Sequence, residues 1–315
     1  MTGKPFLSVV MPVHDGATWI GRTLESLVGE AEGVEIIVID SSPGDDTAAI
    51  AGQFSKRLPM QFVRRVDMGP WQSKTNLGME MAAADHACIL HQDDLWIAGR
   101  AATVRKWIAD WPAAALHLGP TRIIDRHDKT VGQWTCPLPA ESEIAPGLLF
   151  ERLLVQNFIS VPAPVFRRSA WLASGGMDKQ LWYTPDWDIW LKLAGQGPVV
   201  YHREVTTDFR VHGSSLTVTG SRNADEFRRQ MEIVLERHLG KVPAGRRAAT
   251  ERAARSSINI NVALAAASGG SVTGLASALK DIIALGPAGM ARYLRDSRLW
   301  ERVTCRLRAK LAGAF

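Results

Sequence analysis

The segment Val34 to Asp40, Val-Glu-Ile-Ile-Val-Ile-Asp, constrains this chain more than any other. It is short for a helix, rich in β-branched residues and almost without a polar face, so it belongs in a parallel sheet covered on both sides. Parallel strands need crossover connections, and the flanking sequence supplies them. Phe6 to Pro12 reads as a strand ending in the turn Val13-His14-Asp15-Gly16, and Trp19 to Val28 has helical spacing through Ile20, Leu24 and Leu27. Ser41 to Asp46 is turn chemistry leading into a helix from Thr47. Gln61 to Arg65 then reads as a strand, Ser73 to Ala84 as a helix, and Ala87 to Leu90 as a strand that stops at His91-Gln92-Asp93-Asp94.

Downstream, Arg100 to Asp110 reads as a helix, Leu116 to Ile124 as a strand, and Gln156 to Phe166 as an extended stretch with Pro162 and Pro164 at its edge. Trp182 to Ala194 sets Trp187, Trp190, Leu191 and Ala194 at helical spacing. Past Gly220, Ala224 to Leu239 and Ala248 to Ala267 read as helices and Ala288 to Leu311 as a basic amphipathic helix. The expected class is α/β, a mixed, mostly parallel sheet flanked by helices in residues 1–219, with a helical basic extension in 220–315.

Charge follows the same division. Residues 1–219 carry 20 Lys and Arg against 24 Asp and Glu, and 220–315 carry 17 against 8, so the net +5 belongs to the extension. No helix-turn-helix, zinc or RNA-binding signature accompanies that basicity, and no nucleic-acid partner is expected. Cys88, Cys136 and Cys305 lie far apart and fit reduced thiols. With no signal-peptide pattern in the sequence and no continuous apolar run of about 20 residues, a cytoplasmic protein without a membrane span is expected.

In doubly wound sheets, ligands sit at the carboxyl ends of strands. Three such ends here carry polar groups: His14 with Asp15, Asp40, and Asp93 with Asp94. They are expected to face one crevice. Paired carboxylates at a strand end suit Mg²⁺ or Mn²⁺, which take oxygen ligands and share substrate phosphates. The competing assignment is a helix cap by Asp94.

The set Ser8 to Asp15, Val38 to Thr47, Asn76-Leu77-Gly78 and Ile89 to Trp96 resembles the family 2 glycosyltransferases, in order and interval, over about residues 5–218. The resemblance implies a GT-A fold, Rossmann-like, and a nucleotide-sugar donor, most simply a UDP-sugar. It implies that Pro12, Val13, His14, Asp40 and Ser42 line the nucleotide site, and a carboxylate suits the imide N–H of uracil. The alternative for Asp40 is a cap on the Ser41 to Asp46 turn. Asp93 and Asp94 match the family's aspartate motif, which touches the ribose and holds a divalent metal. His91 stands where that motif commonly begins with an acid; it could bind a softer transition metal, but a strand-end histidine is more often a hydrogen-bonded structural residue, and it is left out of the ligand set.

A further motif, Trp182 to Ala194, is similar to the family's acidic pair before an aromatic helix, whose second acid is the catalytic base. That position is Asp186, with Pro185 replacing the usual glutamate; an N-cap is the alternative. Asp188 points elsewhere and is expected to be structural. Asp208 to Leu216 looks like the family's loop in which a histidine follows an arginine, making His212 a third metal candidate, with a plain loop histidine the alternative, and Arg210 either a diphosphate contact or the partner of a nearby acid. Trp187 and Trp190 share a core stripe, whereas Trp182 is the acceptor-stacking candidate.

The implied activity is inverting transfer of a sugar to a hydroxyl of a glycan or lipid-linked acceptor, as in polysaccharide or cell-envelope synthesis. Two rivals remain: a non-catalytic sugar-nucleotide-binding relative, suggested by His91 and Pro185, and a nucleotidyltransferase, disfavoured because Val13 to Ala17 is no Gly-rich basic phosphate loop. In the extension, Trp300, Val303, Leu307 and Leu311 share one face amid Arg295, Arg298, Arg302, Arg306, Arg308 and Lys310. That pattern fits either peripheral contact of 288–311 with the inner face of a membrane or packing on the catalytic domain.

Overall fold

The computed structural model describes residues 3–213, 223–268 and 274–311. Its first part alternates strand and helix: β1 (Leu7–Val13), α1 (Ile20–Glu25), β2 (Val34–Asp40), α2 (Asp46–Gly52), β3 (Met60–Arg64), α3 (Trp71–Met81), β4 (His86–Ile89), β5 (Leu95–Trp96) and α4 (Arg100–Asp110). β1 to β4 pair in parallel in the order β3-β2-β1-β4. All of β1 is buried, because its alternate side chains serve two cores. Val9, Met11 and Val13 pack with Ile20, Leu24 and Trp107 on one face, while Val10 packs with Met79 and Ile89 on the other.

Next come β6 (Leu116–Leu118), β7 (Thr121–Ile124), β8 (Thr130–Trp134), α5 (Pro146–Val155), β9 (Val165–Arg167), α6 (Arg168–Ala173), α7 (Pro185–Ala194), β10 (Val199–Tyr201) and β11 (Thr207–Arg210). Among the described residues the main sheet has seven strands, β10-β6-β9-β4-β1-β2-β3, with β9 antiparallel to both neighbours; a second sheet runs β5-β11-β7-β8. Leu116 to Ile124, expected as one strand, is therefore two strands in different sheets. Pro120, lacking an N–H, cannot carry the ladder across the junction. The extended stretch before Phe166 joins the sheet only at β9, since Pro162 and Pro164 leave it the same deficit.

The C-terminal helices are α8 (Ala224–His238), α9 (Ala244–Ser268), α10 (Leu275–Ala284), α11 (Gly286–Ser297) and α12 (Leu299–Leu311). The helix expected over 288–311 is broken at Arg298, whose φ of 49° is left-handed, and its two halves pack differently. Phe227, Met231, Val234, Leu235, Ala254 and Ile258 share one core with α5 and α7. α8 and α9 thus complete the core of the preceding residues. The expected boundary at 219/220 lies outside the described residues. None of the described helices is long and apolar enough to cross a membrane.

Candidate active site

Parallel pairing puts the ends of β1, β2 and β4 on one sheet edge: Val13 faces Asp40, and Val10 faces Ile89. Side chains fasten these ends together. The His14 N–H donates to Gln92 Oε1 (2.8 Å), and Gln92 Nε2 donates to the His14 carbonyl (2.9 Å). His14 Nδ1 lies 3.0 Å from Ser41 Oγ, and the Asp15 N–H donates to Ser42 Oγ at 2.8 Å.

Asp40 is fully buried. Its Oδ1 accepts the Ser42 N–H (3.0 Å) and the Ser42 hydroxyl (2.5 Å), which is the turn cap, while Oδ2 is buried with no partner. The cap uses one oxygen and leaves the other available to a ligand. Ser42, itself buried, holds Asp40 and Asp15 in place. Pro12 and Val13 are buried at the same strand end, where the Val13 carbonyl accepts the Lys74 ammonium (2.7 Å).

Lys74 is a member of this site that the motifs did not single out. Nζ also donates to Ser41 Oγ (2.7 Å), and burial pulls its pKa down to about 8 against the attraction of Asp40 and Asp15. Its position follows from Gly78, one turn along α3 on the same face. A Cβ at Gly78 would come within 2.4 Å of Val10 Cγ1, so only glycine lets α3 approach β1 this closely. Asn76 faces the other way. It clasps Met177 through Nδ2 to the carbonyl (2.8 Å) and Oδ1 from the N–H (2.9 Å), anchoring the loop that leads to α7.

At the β4 end, His91, Asp93 and Asp94 bring one ligand atom each to within 4.8 Å of one another. His212 Nε2 joins them, 2.8 Å from Asp93 Oδ2. His91 lies in the same cluster: its ring stands edge-on to Trp71 (4.9 Å between centroids), and its Nε2 is buried without a hydrogen-bond partner. Burial lowers its pKa, favouring the neutral, metal-ligating imidazole. Asp94 Oδ2 is likewise buried and unpartnered, while Oδ1 accepts the Arg210 N–H (3.0 Å). Burial and the adjacent Asp93 charge raise the Asp94 pKa well above the ordinary carboxylate value, a strain that a cation would relieve. Two imidazoles and two carboxylates fit a Mn²⁺-type ion better than the all-oxygen set that Mg²⁺ prefers.

Of the two roles open to Arg210, the contacts favour the ion pair. Its guanidinium is buried over the Trp19 ring (4.7 Å), pairs with Asp128, and donates to the Asp93 carbonyl (2.8 Å) and the Asp125 carbonyl (2.9 Å). It shapes the acidic turn from beneath. Ser214 to Leu216 of the same motif lie outside the described residues.

Asp186 occupies the first turn of α7, after Pro185. It is half-buried, and Asn157 Nδ2 donates to its Oδ2 at 2.9 Å. Burial pushes its pKa up to about 6, against backbone N–H groups and the Asn157 amide, which favour the carboxylate. That is the tuning a general base requires. Asp188, by contrast, is fully buried among Lys192 (2.7 Å), Arg237 (2.9 Å) and His238 (2.8 Å), which hold its pKa down at about 2. Trp187 and Trp190 are core, and Trp182 is half-buried with its indole donating to Glu226 Oε1 (3.2 Å).

The family sequence described as "Glycosyl transferase family 2" matches residues 8–156. An uncharacterized protein of Mycobacterium tuberculosis is 27% identical over 209 residues, spanning 63% of this chain and 65% of its own. An uncharacterized glycosyltransferase of Rickettsia typhi is 23% identical over 233 residues, spanning 72% and 70%. The chain thus covers roughly two thirds of the length of these relatives. Among solved structures, S. aureus TarS 1–349 in complex with UDP-GlcNAc superposes with a TM-score of 0.66 at 14% identity, over 96% of this chain and 89% of that one. The mannosyltransferase PcManGT from Pyrobaculum calidifontis, in complex with GDP-Man and Mn²⁺, gives 0.58 at 17% identity, over 98% and 88%.

Proposed function

From a chain that belongs to glycosyltransferase family 2 and has the GT-A fold, we propose an inverting transferase that moves a sugar from a UDP-sugar to an acceptor hydroxyl. The observation that carries this is the unspent chemistry at one sheet edge: Asp40 Oδ2, His91 Nε2 and Asp94 Oδ2 are all buried without a partner at the ends of β2 and β4. Buried polar atoms are rarely left so, and a ligand supplies what is missing. Asp40 Oδ2 is matched to the imide N–H of uracil, with His14, Ser42 and the Pro12-Val13 backbone around it. Asp93, Asp94, His212 and His91 form the donor set for a divalent cation, which supplies positive charge opposite the departing diphosphate.

Asp186 takes the proton of the acceptor hydroxyl as its oxygen forms a bond to the anomeric carbon. The bond from that carbon to the phosphate oxygen breaks, and its electron pair leaves with UDP. One displacement without a covalent sugar-enzyme species inverts the configuration. A panel of UDP-sugars and GDP-mannose, followed by proton NMR of the anomeric signal, tests this. A product of inverted configuration that disappears with Asp186→Asn is expected; retained configuration, or undiminished transfer by that variant, would refute it.

For the acceptor we propose a glycan or lipid-linked sugar reached at a membrane surface. Support comes from Leu279, Ile283, Met290 and Trp300, which are 58%, 61%, 37% and 69% exposed. No acidic residue between 274 and 301 is exposed, whereas Lys280 and Arg295 are, a composition suited to anionic lipid. This surface differs from the face expected in the sequence. Val303 turns into an apolar groove with Ile260, Leu275 and Leu299, and the side chains of Arg306, Leu307, Lys310 and Leu311 lie outside the described residues. Sedimentation with phosphatidylglycerol-containing vesicles, lost in Leu279→Ser with Ile283→Ser, is expected. Equal sedimentation of that variant would exclude the patch.

A further inference from the structure

The amide of Asn157 that meets Asp186 is the last member of a longer series. Asn157 Oδ1 accepts the Ile159 N–H (3.2 Å), which fixes the side chain with its NH₂ toward Asp186. Gln156 Nε2 donates to the Asn157 carbonyl (3.2 Å), and Gln156 Oε1 accepts from two residues of α9, Ser257 Oγ (3.1 Å) and Asn261 Nδ2 (3.0 Å). Asn261 Oδ1 in turn accepts the Arg302 guanidinium of α12. Every amide is oriented by what its oxygen accepts. Donation therefore runs from a cation on α12 through Asn261 and Gln156 to the Asn157 backbone carbonyl, which fixes the backbone from which the separate Asn157 side-chain amide reaches the carboxylate on α7.

We propose that the C-terminal helices are part of the catalytic apparatus: Asn261 and Gln156 are positioning residues that hold Asn157, and through it Asp186, in the orientation the reaction needs. The role assigned to Asp186 under the proposed function is the premise of this inference. The geometry is more specific than general packing. Asn259, on the same helix, bonds instead to Arg228 (2.7 Å) and Asp281 (2.7 Å), outside the series.

The neighbouring charges are spent elsewhere. On α5, Glu151 pairs with Arg246 and Arg292, and Arg152 with Asp296. On α8, Glu226 bonds Trp182 and Arg229, while Arg237 and His238 bond Asp188, which also holds Lys192 of α7. In the loop before α7, Asp178 pairs with Arg237. Among the described residues the carboxylate of Asp186 bonds no charged side chain, so burial, backbone N–H groups and the Asn157 amide set its ionisation.

The experiment is titration of the Asp186 carboxyl by carbon NMR in full-length protein labelled with [γ-¹³C]aspartate, the resonance being assigned by its loss in Asp186→Asn. Asn157→Ala is expected to raise the midpoint by about one pH unit, the scale of a lost hydrogen bond to a charged group. Gln156→Leu and Asn261→Leu should raise it by smaller amounts, with Asn259→Leu leaving it in place. A midpoint unmoved by Gln156→Leu and Asn261→Leu, or moved as far by Asn259→Leu, would overturn the proposal. The titration needs no substrate, so it stands apart from the transfer assay on Asp186→Asn, whose failure would remove the base and not the relay.

Discussion

The two halves of the site are built in opposite ways. The donor edge draws on consecutive units of chain: β1, β2, α3 and β4 follow one another within residues 7 to 94, and each strand end delivers its polar group to the same edge. The base side is assembled from afar. Asp186 depends on Asn157, on the loop clasped by Asn76, and, through Gln156, on Asn261 of α9. The proposed nucleotide site is thus made by topology, while the proposed base is oriented by several distant segments. The halves should therefore fail differently when disturbed.

Asp186→Asn gives the largest expected effect. Loss of general-base assistance lowers kcat about 10²- to 10⁴-fold, with UDP affinity unchanged, as calorimetry alongside the transfer assay would show. The same variant should melt at a higher temperature at neutral pH. The folded state holds the Asp186 proton up to about pH 6, above the ordinary carboxylate value, so its contribution to stability is present at low pH and is lost as pH rises through that window. Calorimetric melting that shows a lower temperature for Asp186→Asn would mean that the carboxylate stabilises the fold. For wild type, the acidic limb of the kcat profile should lie near pH 6.

The donor edge breaks by packing before it breaks by chemistry. Gly78→Val forces α3 away from Val10 and should cost about 1–3 kcal/mol in denaturant unfolding, moving Lys74 and weakening UDP binding together. Lys74→Met removes the tether between the Val13 carbonyl and Ser41. It should raise the UDP Kd about tenfold with a smaller change in kcat, in keeping with a lost hydrogen bond to a charged group. A kcat effect larger than the Kd effect would assign Lys74 to the base side.

This contrast also explains what could be read in advance. The succession of strands and helices in the first hundred residues and the polar strand ends were legible because apolar runs and turn residues are local signals, and the helices of residues 224–268 were legible from spacing. Lys74 was legible in principle, through its i,i+4 relation to Gly78. The split of Leu116 to Ile124 between two sheets was not, since Pro120 breaks a ladder without saying which sheet each half joins. Nor was the contact of Asn157 with Asp186, or of Gln156 with Asn261, because polar residues scattered over a hundred positions leave no periodic trace. The place of His91 beside Asp93 and Asp94 was not legible for a related reason: burial that favours the neutral imidazole, and neighbours aimed at the same point, are set by the fold and not by the motif.

The most direct measurement is calorimetric titration of UDP, with and without Mn²⁺, into wild type, Asp186→Asn and Asp93→Ala with Asp94→Ala. Metal-dependent binding that survives in Asp186→Asn and disappears in the double variant is the expected result. Binding retained by the double variant, or lost in Asp186→Asn, would contradict a donor edge and a base that work as separate halves.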